Sequence, residues 1–234
     1  SHVDSLAAEM KAGRWRLNGE TIIISRDGFV IDGQHRLLAV IKSGVSIQSF
    51  LVTGVNKDDI ESVGIGKKRS TGDVLGMYGY TNTNTLAGVA RQFALLDAGL
   101  AGARLPVSPM EEREVIVGNP EIEYATQWIS TGCGTIPRRA IIGAAYAFLL
   151  VKHRRAAVDN ERVHIFFDKL KTGANLSISD PIHVLRDKLS RILRPRDGSN
   201  REVVTLIFKA WNAYRSGKPM LRLNITQDVP EVQV

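Results

Sequence analysis

The chain has 234 residues, with 31 Lys and Arg against 24 Asp and Glu and 44% apolar residues. This composition excludes a disordered or fibrous protein and is typical of one or two globular domains. Apolar runs such as Ala140–Val151 are shorter than the ~20 residues of a membrane-spanning helix, and the first residues do not resemble a signal peptide. We therefore expect a cytoplasmic protein without a membrane partner.

The net charge of +7 is unevenly distributed along the chain. Residues up to Val117 include 13 basic and 13 acidic side chains, whereas those from Gly118 include 18 and 11. Nucleic acid is the commonest polyanionic partner of such a basic half, so DNA is the expected partner. A solvated basic face is the alternative interpretation. The single cysteine, Cys133, and five histidines without metal-ligand spacing exclude an internal disulfide and predict no structural metal.

The first part of the chain combines helical and strand patterns. Helical spacing over residues 4–12 precedes two β-branched runs, Thr21–Ser25 and Phe29–Ile31, which an Arg-Asp-Gly turn joins as a hairpin. Helical periodicity then starts at Gln34, and a third strand is predicted at Ile47–Thr53. The predicted order is strand, strand, helix, strand.

Helices alone are predicted in the rest of the chain. Short helices are expected to start near Asn56 and at Ser70, and a stretch rich in Gly, Ala and Pro, Gly99–Pro109, is the strongest compositional sign of a domain boundary. The longer helices are predicted at 83–98, 110–130, 137–155, 159–172, 180–194 and 199–215.

The most informative stretch carries a strand through Gly33 directly into a helix that opens with Gln34, His35 and Arg36. The first amides of a helix have no internal acceptor and lie at the positive end of its dipole, so this turn is suited to a phosphate. Arg36 would add a charge-assisted hydrogen bond, and Gly33 permits close approach or a positive φ angle. Asp32 serves either as a helix N-cap, the favoured role, or as a magnesium ligand or proton acceptor.

The residues Asp-Gly-Gln-His-Arg at 32–36 resemble the ParB/sulfiredoxin superfamily, in particular a DGQHR-type branch with many phage and prophage members. The resemblance covers roughly residues 14–75. It implies an α+β fold with a phosphate-binding core at 1–75 and a basic helical domain at 76–234, in a protein encoded by a phage or its bacterial host. It also implies a nucleoside triphosphate, ATP or CTP, with magnesium at Gly33, Gln34, His35 and Arg36. Asp32 and His35 are the candidate catalytic residues.

Two departures from the family pattern limit this inference. Gln34 stands where sulfiredoxin has its cysteine, and Cys133 is a hundred residues away, so reduction of sulfinic acids is excluded. ParB proteins have an acid at the position of Gln34 and consecutive arginines after it, whereas this chain keeps only Arg36. The identity of the nucleotide and the occurrence of hydrolysis therefore stay open.

A basic element precedes the helix that starts at Ser70. It is predicted either to cover the bound phosphates or to be a solvated turn with a capping hydroxyl. Its candidate binding residues are Lys67, Lys68, Arg69, Ser70 and Thr71.

Arginines of the helical half are candidate nucleic-acid contacts. Arg138 and Arg139 open a helix, where cations oppose the dipole, so DNA phosphate or a carboxylate such as Glu121 or Glu123 is expected beside them. The apolar stripe of the 180–194 helix predicts a core helix whose other face carries further candidate DNA contacts. These are Arg186, Arg191 and Arg194.

Two aromatic residues of the last helix could either pack in the core or stack on nucleic-acid bases. Trp211 and Tyr214 lie in a strongly apolar helical pattern, which favours packing over base stacking.

The sequence as a whole predicts a nucleotide-binding ParB-like protein that acts on DNA or is switched by it. NTPase or phosphotransferase activity stays open, and a homodimer is compatible with the sequence. One alternative is a non-enzymatic DNA-binding regulatory or accessory protein in which the 32–36 turn binds the phosphates of the DNA backbone. Another is a small-metabolite or nucleotide kinase, which requires a further acid near Asp32. A nuclease lacks support because no carboxylate cluster is evident.

Overall fold

The computed structural model describes residues 2–56, 70–103, 105–131, 138–192, 199–226 and 228–234. The chain divides into two compact units, Ser1–Lys68 and Arg69–Val234. The first combines helices with a small sheet, and the second is helical over its described residues. The fold class is therefore α+β and mostly helical.

The elements of the first unit follow the predicted order. They are α1 (His2–Lys11), β1 (Thr21–Ser25), β2 (Val30–Asp32), α2 (Gln34–Ser43) and β3 (Phe50–Val55).

The three strands form one sheet in the order β2-β1-β3. The predicted hairpin is confirmed, because β1 and β2 pair antiparallel with Ile23 opposite Asp32. β3 pairs parallel to the other edge of β1, with Thr21 opposite Phe50. Helices α1 and α2 enclose a small core of Ala7, Met10 and Ala39. This packing fixes the start of α2 beside the central strand.

The second unit contains the remaining described helices. They are α3 (Thr71–Met77), α4 (Thr83–Asp97), α5 (Pro109–Gly118), α6 (Glu121–Ser130), α7 (Arg139–Arg155), α8 (Glu161–Thr172), α9 (Pro181–Ser190) and α10 (Asn200–Arg215).

One predicted helix is wrong in extent, since 110–130 consists of α5 and α6. Asn119 ends α5 in an extended conformation, with φ −140°, and Pro120 immediately precedes α6. Proline lacks the amide that would continue the helical ladder and disfavours helical geometry in the residue before it. Its favourable place at the start of a helix explains why α6 begins there.

The predicted domain boundaries also differ from the structure. A boundary at residue 75 falls inside α3, whose Leu75 is buried in the core of the second unit. The glycine-rich stretch Gly99–Pro109 connects α4 with α5, which both belong to that unit. Glycine and proline are typical of connections between packed helices as well as of linkers between domains, so composition alone does not distinguish the two.

Helix α7 is the centre of the second unit. Its apolar run from Ile141 to Val151 is buried throughout, as expected of a helix surrounded by others. Gly143 permits close approach of α4, because a Cβ there would lie 2.9 Å from Val89 Cγ2. None of the helices in the described ranges is long and apolar enough to cross a membrane.

Glu112 of α5 is a fully buried acid in this helical core. Arg91 Nε of α4 donates a hydrogen bond to its Oε1 at 2.6 Å. Burial raises the pKa of Glu112 above its ordinary value of 4.5, and the hydrogen bond and charge of Arg91 offset only part of this rise. The folded protein therefore holds the Glu112 proton more tightly than the unfolded chain does.

We expect Glu112→Gln to remove a pH-dependent loss of stability. The folded protein binds the Glu112 proton more tightly than the unfolded chain does. As the pH rises above 4.5 and through the folded-state pKa, this proton is lost, and the free energy of unfolding falls. The unfolding free energy of the wild type minus that of the variant should therefore fall with rising pH. Urea titrations over a pH series measure this difference. Glu114→Gln, at an exposed position of the same helix, is the control, and a difference independent of pH contradicts the prediction.

Candidate phosphate-binding site

The turn between β2 and α2 depends on Gly33. This residue is the N-cap of α2 and has the left-handed angles φ 93° and ψ 6°, as the sequence predicts. A Cβ at this position would lie 3.0 Å from Ile22 Cγ1 and 3.2 Å from Ile22 Cα. Glycine is therefore required both by the backbone conformation and by packing against β1.

The first turn of α2 lacks a side-chain cap. Asp32 is not its N-cap, contrary to the favoured interpretation, because the left-handed Gly33 occupies that position. The Asp32 carboxylate instead accepts a hydrogen bond from the Gly33 amide at 2.7 Å. The amides of Gln34, His35 and Arg36 follow at the start of the helix, where no intrahelical acceptor exists.

The Arg36 guanidinium lies in a cluster of oxygen acceptors. Nη1 donates to Glu20 Oε2 at 2.9 Å, and Nη2 donates to the Thr21 carbonyl at 2.6 Å and to Asp32 Oδ2 at 3.2 Å. The side chain is only 12% exposed, and its Nε is buried without a hydrogen-bond partner. Arg36 therefore joins α2 to β1, and its single positive charge is paired with two carboxylates, which leaves the cluster with a net negative charge.

Glu20 also belongs to this cluster, and the sequence alone does not predict which way its side chain points. It precedes β1 and lies sixteen residues from Arg36 in the chain. Its carboxylate is 67% exposed, and that of Asp32 is 42% exposed, so solvent reaches both acids. The structure thus provides a second acid near Asp32, which the kinase alternative requires.

Gln34 and His35 lie on the exposed side of the helix start. Gln34 Nε2 donates to the Val30 carbonyl at 3.2 Å. The His35 ring packs edge-to-face against His2, with the ring centroids 5.4 Å apart. Both side chains are accessible to a ligand at the N-terminus of α2.

The second basic element is only partly described. Lys67, Lys68 and Arg69 lie outside the described residues. Ser70 is the N-cap of α3 and forms a capping box with Asp73, and Thr71 is the first residue of this helix. The capping role expected as the alternative for Ser70 is therefore confirmed.

The candidate DNA contacts Arg186, in α9, and Arg191, which immediately follows this helix, make local interactions. Arg186 donates to the carbonyls of Leu170 and Lys171 at the end of α8, where a cation is stabilised by the helix dipole. Arg191 pairs with Asp187 at 2.8 Å and remains exposed. Arg194 lies outside the described residues.

Arg138 and Arg139 lie at the start of α7. Arg138 is the N-cap residue, and its Nη1 donates to Asn200 Oδ1 at 3.1 Å. Arg139 is the first helical residue and is exposed. Glu121, one of the acids proposed as their partner, pairs with Arg154 at the other end of α7 at 2.7 Å.

Comparison of the chain with protein-family models, curated proteins and solved structures finds no match. Within the described part of the chain, no group of three or more His, Cys, Asp or Glu side chains is arranged to hold a metal ion. A cation at Asp32 or Glu20 would therefore need further oxygen ligands from a bound phosphate or water.

Proposed function

We propose that the first unit is a ParB/sulfiredoxin-like core that binds a nucleoside triphosphate with magnesium, and that the protein acts on DNA or is switched by it. The observation that carries this proposal is the start of α2, where helix amides without a side-chain cap adjoin the Arg36 cluster. The strand, strand, helix, strand order supports the same interpretation.

The chemistry of this cluster fits a phosphate that arrives with its cation. The helix amides and Arg36 are donors for phosphate oxygens, and Gln34 and His35 are exposed beside them. Asp32 and Glu20 are the oxygen ligands that magnesium prefers. Magnesium, when bound, would neutralise charge on the phosphates. A phosphate without a cation would meet the same two carboxylates and be repelled.

DNA is the proposed macromolecular partner because the second unit carries most of the positive charge. Residues 69–234 include 22 Lys and Arg against 16 Asp and Glu, whereas residues 1–68 include 9 against 8. Arg139 is the exposed candidate contact at the start of α7. Backbone phosphate contacts of this kind would weaken steeply with added salt.

His35→Glu is the sharpest test of the nucleotide site. A carboxylate in the first turn is stabilised by the helix dipole, so the fold should be retained. The same carboxylate repels a phosphate bound at these amides. We expect the affinity for ATP or CTP with magnesium, measured by calorimetry, to fall by about tenfold or more. Gln48→Glu, at an exposed position of the same unit, makes the same charge change away from α2 and should bind as the wild type does.

Two results would contradict the nucleotide proposal. One is the absence of saturable binding of either nucleotide to the wild type, and the other is equal affinity of the His35→Glu and Gln48→Glu variants. DNA binding that falls steeply with salt, without any effect of nucleotide, would instead favour the non-enzymatic DNA-binding alternative.

The shared position of Glu20 and Asp32 favours a second candidate function, transfer of a phosphoryl group to a small metabolite or nucleotide. Both carboxylates hydrogen-bond to Arg36, so an acid is available to accept the proton of an attacking hydroxyl next to the proposed phosphate position. Glu20→Gln should then abolish release or transfer of phosphate, a larger loss than the fall in nucleotide affinity that follows from removing one magnesium ligand. Turnover unchanged in this variant would remove Glu20 as the base.

A further inference from the structure

The second unit contains a polar cavity that is independent of the Gly33 turn. Its volume is about 580 Å³, within the range of small-molecule sites. Arg91, Gln92 and Leu95 of α4 line one side, and Arg138 and Asn200 line another. The starts of α7 and α10 therefore contribute to the same cavity as the middle of α4.

The described lining is positively charged. It includes the guanidinium groups of Arg91 and Arg138 and no acidic side chain. Glu112 accepts the hydrogen bond of Arg91 Nε, but the Arg91 side chain remains 46% exposed, so its outer edge is accessible. Two guanidinium groups at one cavity are suited to an oxyanion that accepts several hydrogen bonds.

Arg138 is held in this cavity at an energetic cost. Its φ of 56° is left-handed, a conformation that is uncommon for residues other than glycine, and a cation at the start of α7 opposes the helix dipole. The side chain is positioned by Asn200, whose Nδ2 donates to Gln92 Oε1 at 3.1 Å and whose Oδ1 accepts from Arg138 Nη1 at 3.1 Å.

The lining of the cavity also includes apolar side chains. Leu95, Leu105 and Pro106 lie along it, so the site combines a cationic part with a surface that can bury a carbon skeleton or a ring. Inorganic phosphate would use only the cationic part. A phosphate ester with an organic group of nucleoside size would use both.

We propose that this cavity binds a small phosphate monoester, with its phosphate at Arg91 and Arg138 and its organic group against Leu95, Leu105 and Pro106. The site is separate in the chain from the turn at Gly33 and does not depend on nucleotide binding there. It gives Arg138, at the start of α7, a role that DNA contact alone does not explain.

The test is calorimetry on the full chain with three probes: AMP, inorganic phosphate and adenosine. We expect AMP to bind saturably and more tightly than inorganic phosphate or adenosine, and this binding to persist in His35→Glu. Gln92→Glu places a carboxylate among the two arginines and should weaken AMP binding by about tenfold or more. Gln127→Glu, at an exposed position of α6, is the matched charge control and should bind AMP as the wild type does.

A second variant keeps the test independent of any folding defect in the first. Arg138→Gln removes one cation but retains a donor for Asn200, and circular dichroism reports whether each variant is folded. AMP affinity that is unchanged in either folded variant would overturn the proposal. Inorganic phosphate that binds as tightly as AMP would overturn the role of the apolar side chains, and AMP binding lost only in His35→Glu would assign the ligand to the other unit.

Discussion

Replacing Trp211 with alanine is expected to lower the free energy of unfolding of the helical unit by about 3–5 kcal/mol. Trp211 is fully buried, and its ring lies edge-to-face with Phe166 at 5.4 Å and with His153 at 5.5 Å between centroids. Its Nε1 donates to the Gln233 carbonyl at 2.8 Å. Alanine would leave a large cavity and remove the donor that attaches the C-terminal residues to α10.

Urea unfolding followed by circular dichroism measures this effect, with Trp211→Phe as the matched control. Phenylalanine keeps most of the apolar volume and loses the hydrogen bond, so its cost should be about 1–2 kcal/mol. The packing role also predicts unchanged DNA affinity for folded Trp211→Phe. Loss of DNA binding in that folded variant would instead identify Trp211 as a base-stacking residue.

Gly33→Ala is expected to destabilise the start of α2 by about 2–5 kcal/mol. The left-handed backbone costs a residue with a Cβ roughly 1–2 kcal/mol. The new methyl group, 3.0 Å from Ile22 Cγ1 and 3.2 Å from Ile22 Cα, adds overpacking against backbone that cannot rotate away, a further cost of about 1–3 kcal/mol. Nucleotide affinity should fall with the loss of this turn.

Hydrogen–deuterium exchange of β1 and α2 in the full chain measures the local opening. Gly28→Ala separates the two costs, because Gly28 has a similar φ of 82° but a Cβ there meets nothing within 4 Å. This control should show only the backbone cost of roughly 1–2 kcal/mol. Equal increases in exchange for both variants would contradict the packing of Gly33 against Ile22.

Much of the fold was predictable because its signals are local. The Arg-Asp-Gly turn and the β-branched runs on either side of it identify the hairpin of β1 and β2, and the apolar run of α7 identifies a buried helix. The same local signals were ambiguous at Gly99–Pro109, where a connection between packed helices resembled a domain linker. The parallel pairing of β3 with β1 joins segments that no turn connects directly, and the sequence did not predict it.

The candidate site was predictable only in part for a similar reason. The glycine before a polar helix start identified the turn and its left-handed conformation. The partners of Arg36 could not be predicted from spacing alone, because Glu20 is distant in sequence. The antiparallel pairing of β1 with β2, which leads into α2, brings Glu20 to the guanidinium. The cavity lined by Arg91 and Arg138 likewise brings together residues from three separate helices.

The sequence by itself determined the turn at Gly33, the helical periods and the excess of basic residues in the second half, since each depends on neighbouring residues or on composition. Only the tertiary structure decided where the guanidinium charges lie. Arg36 contacts two carboxylates, Arg186 contacts the end of α8, and Arg138 lines a cavity. Long side chains of one type bind whichever acceptors packing brings within a few ångströms, and packing joins residues that are far apart in the chain.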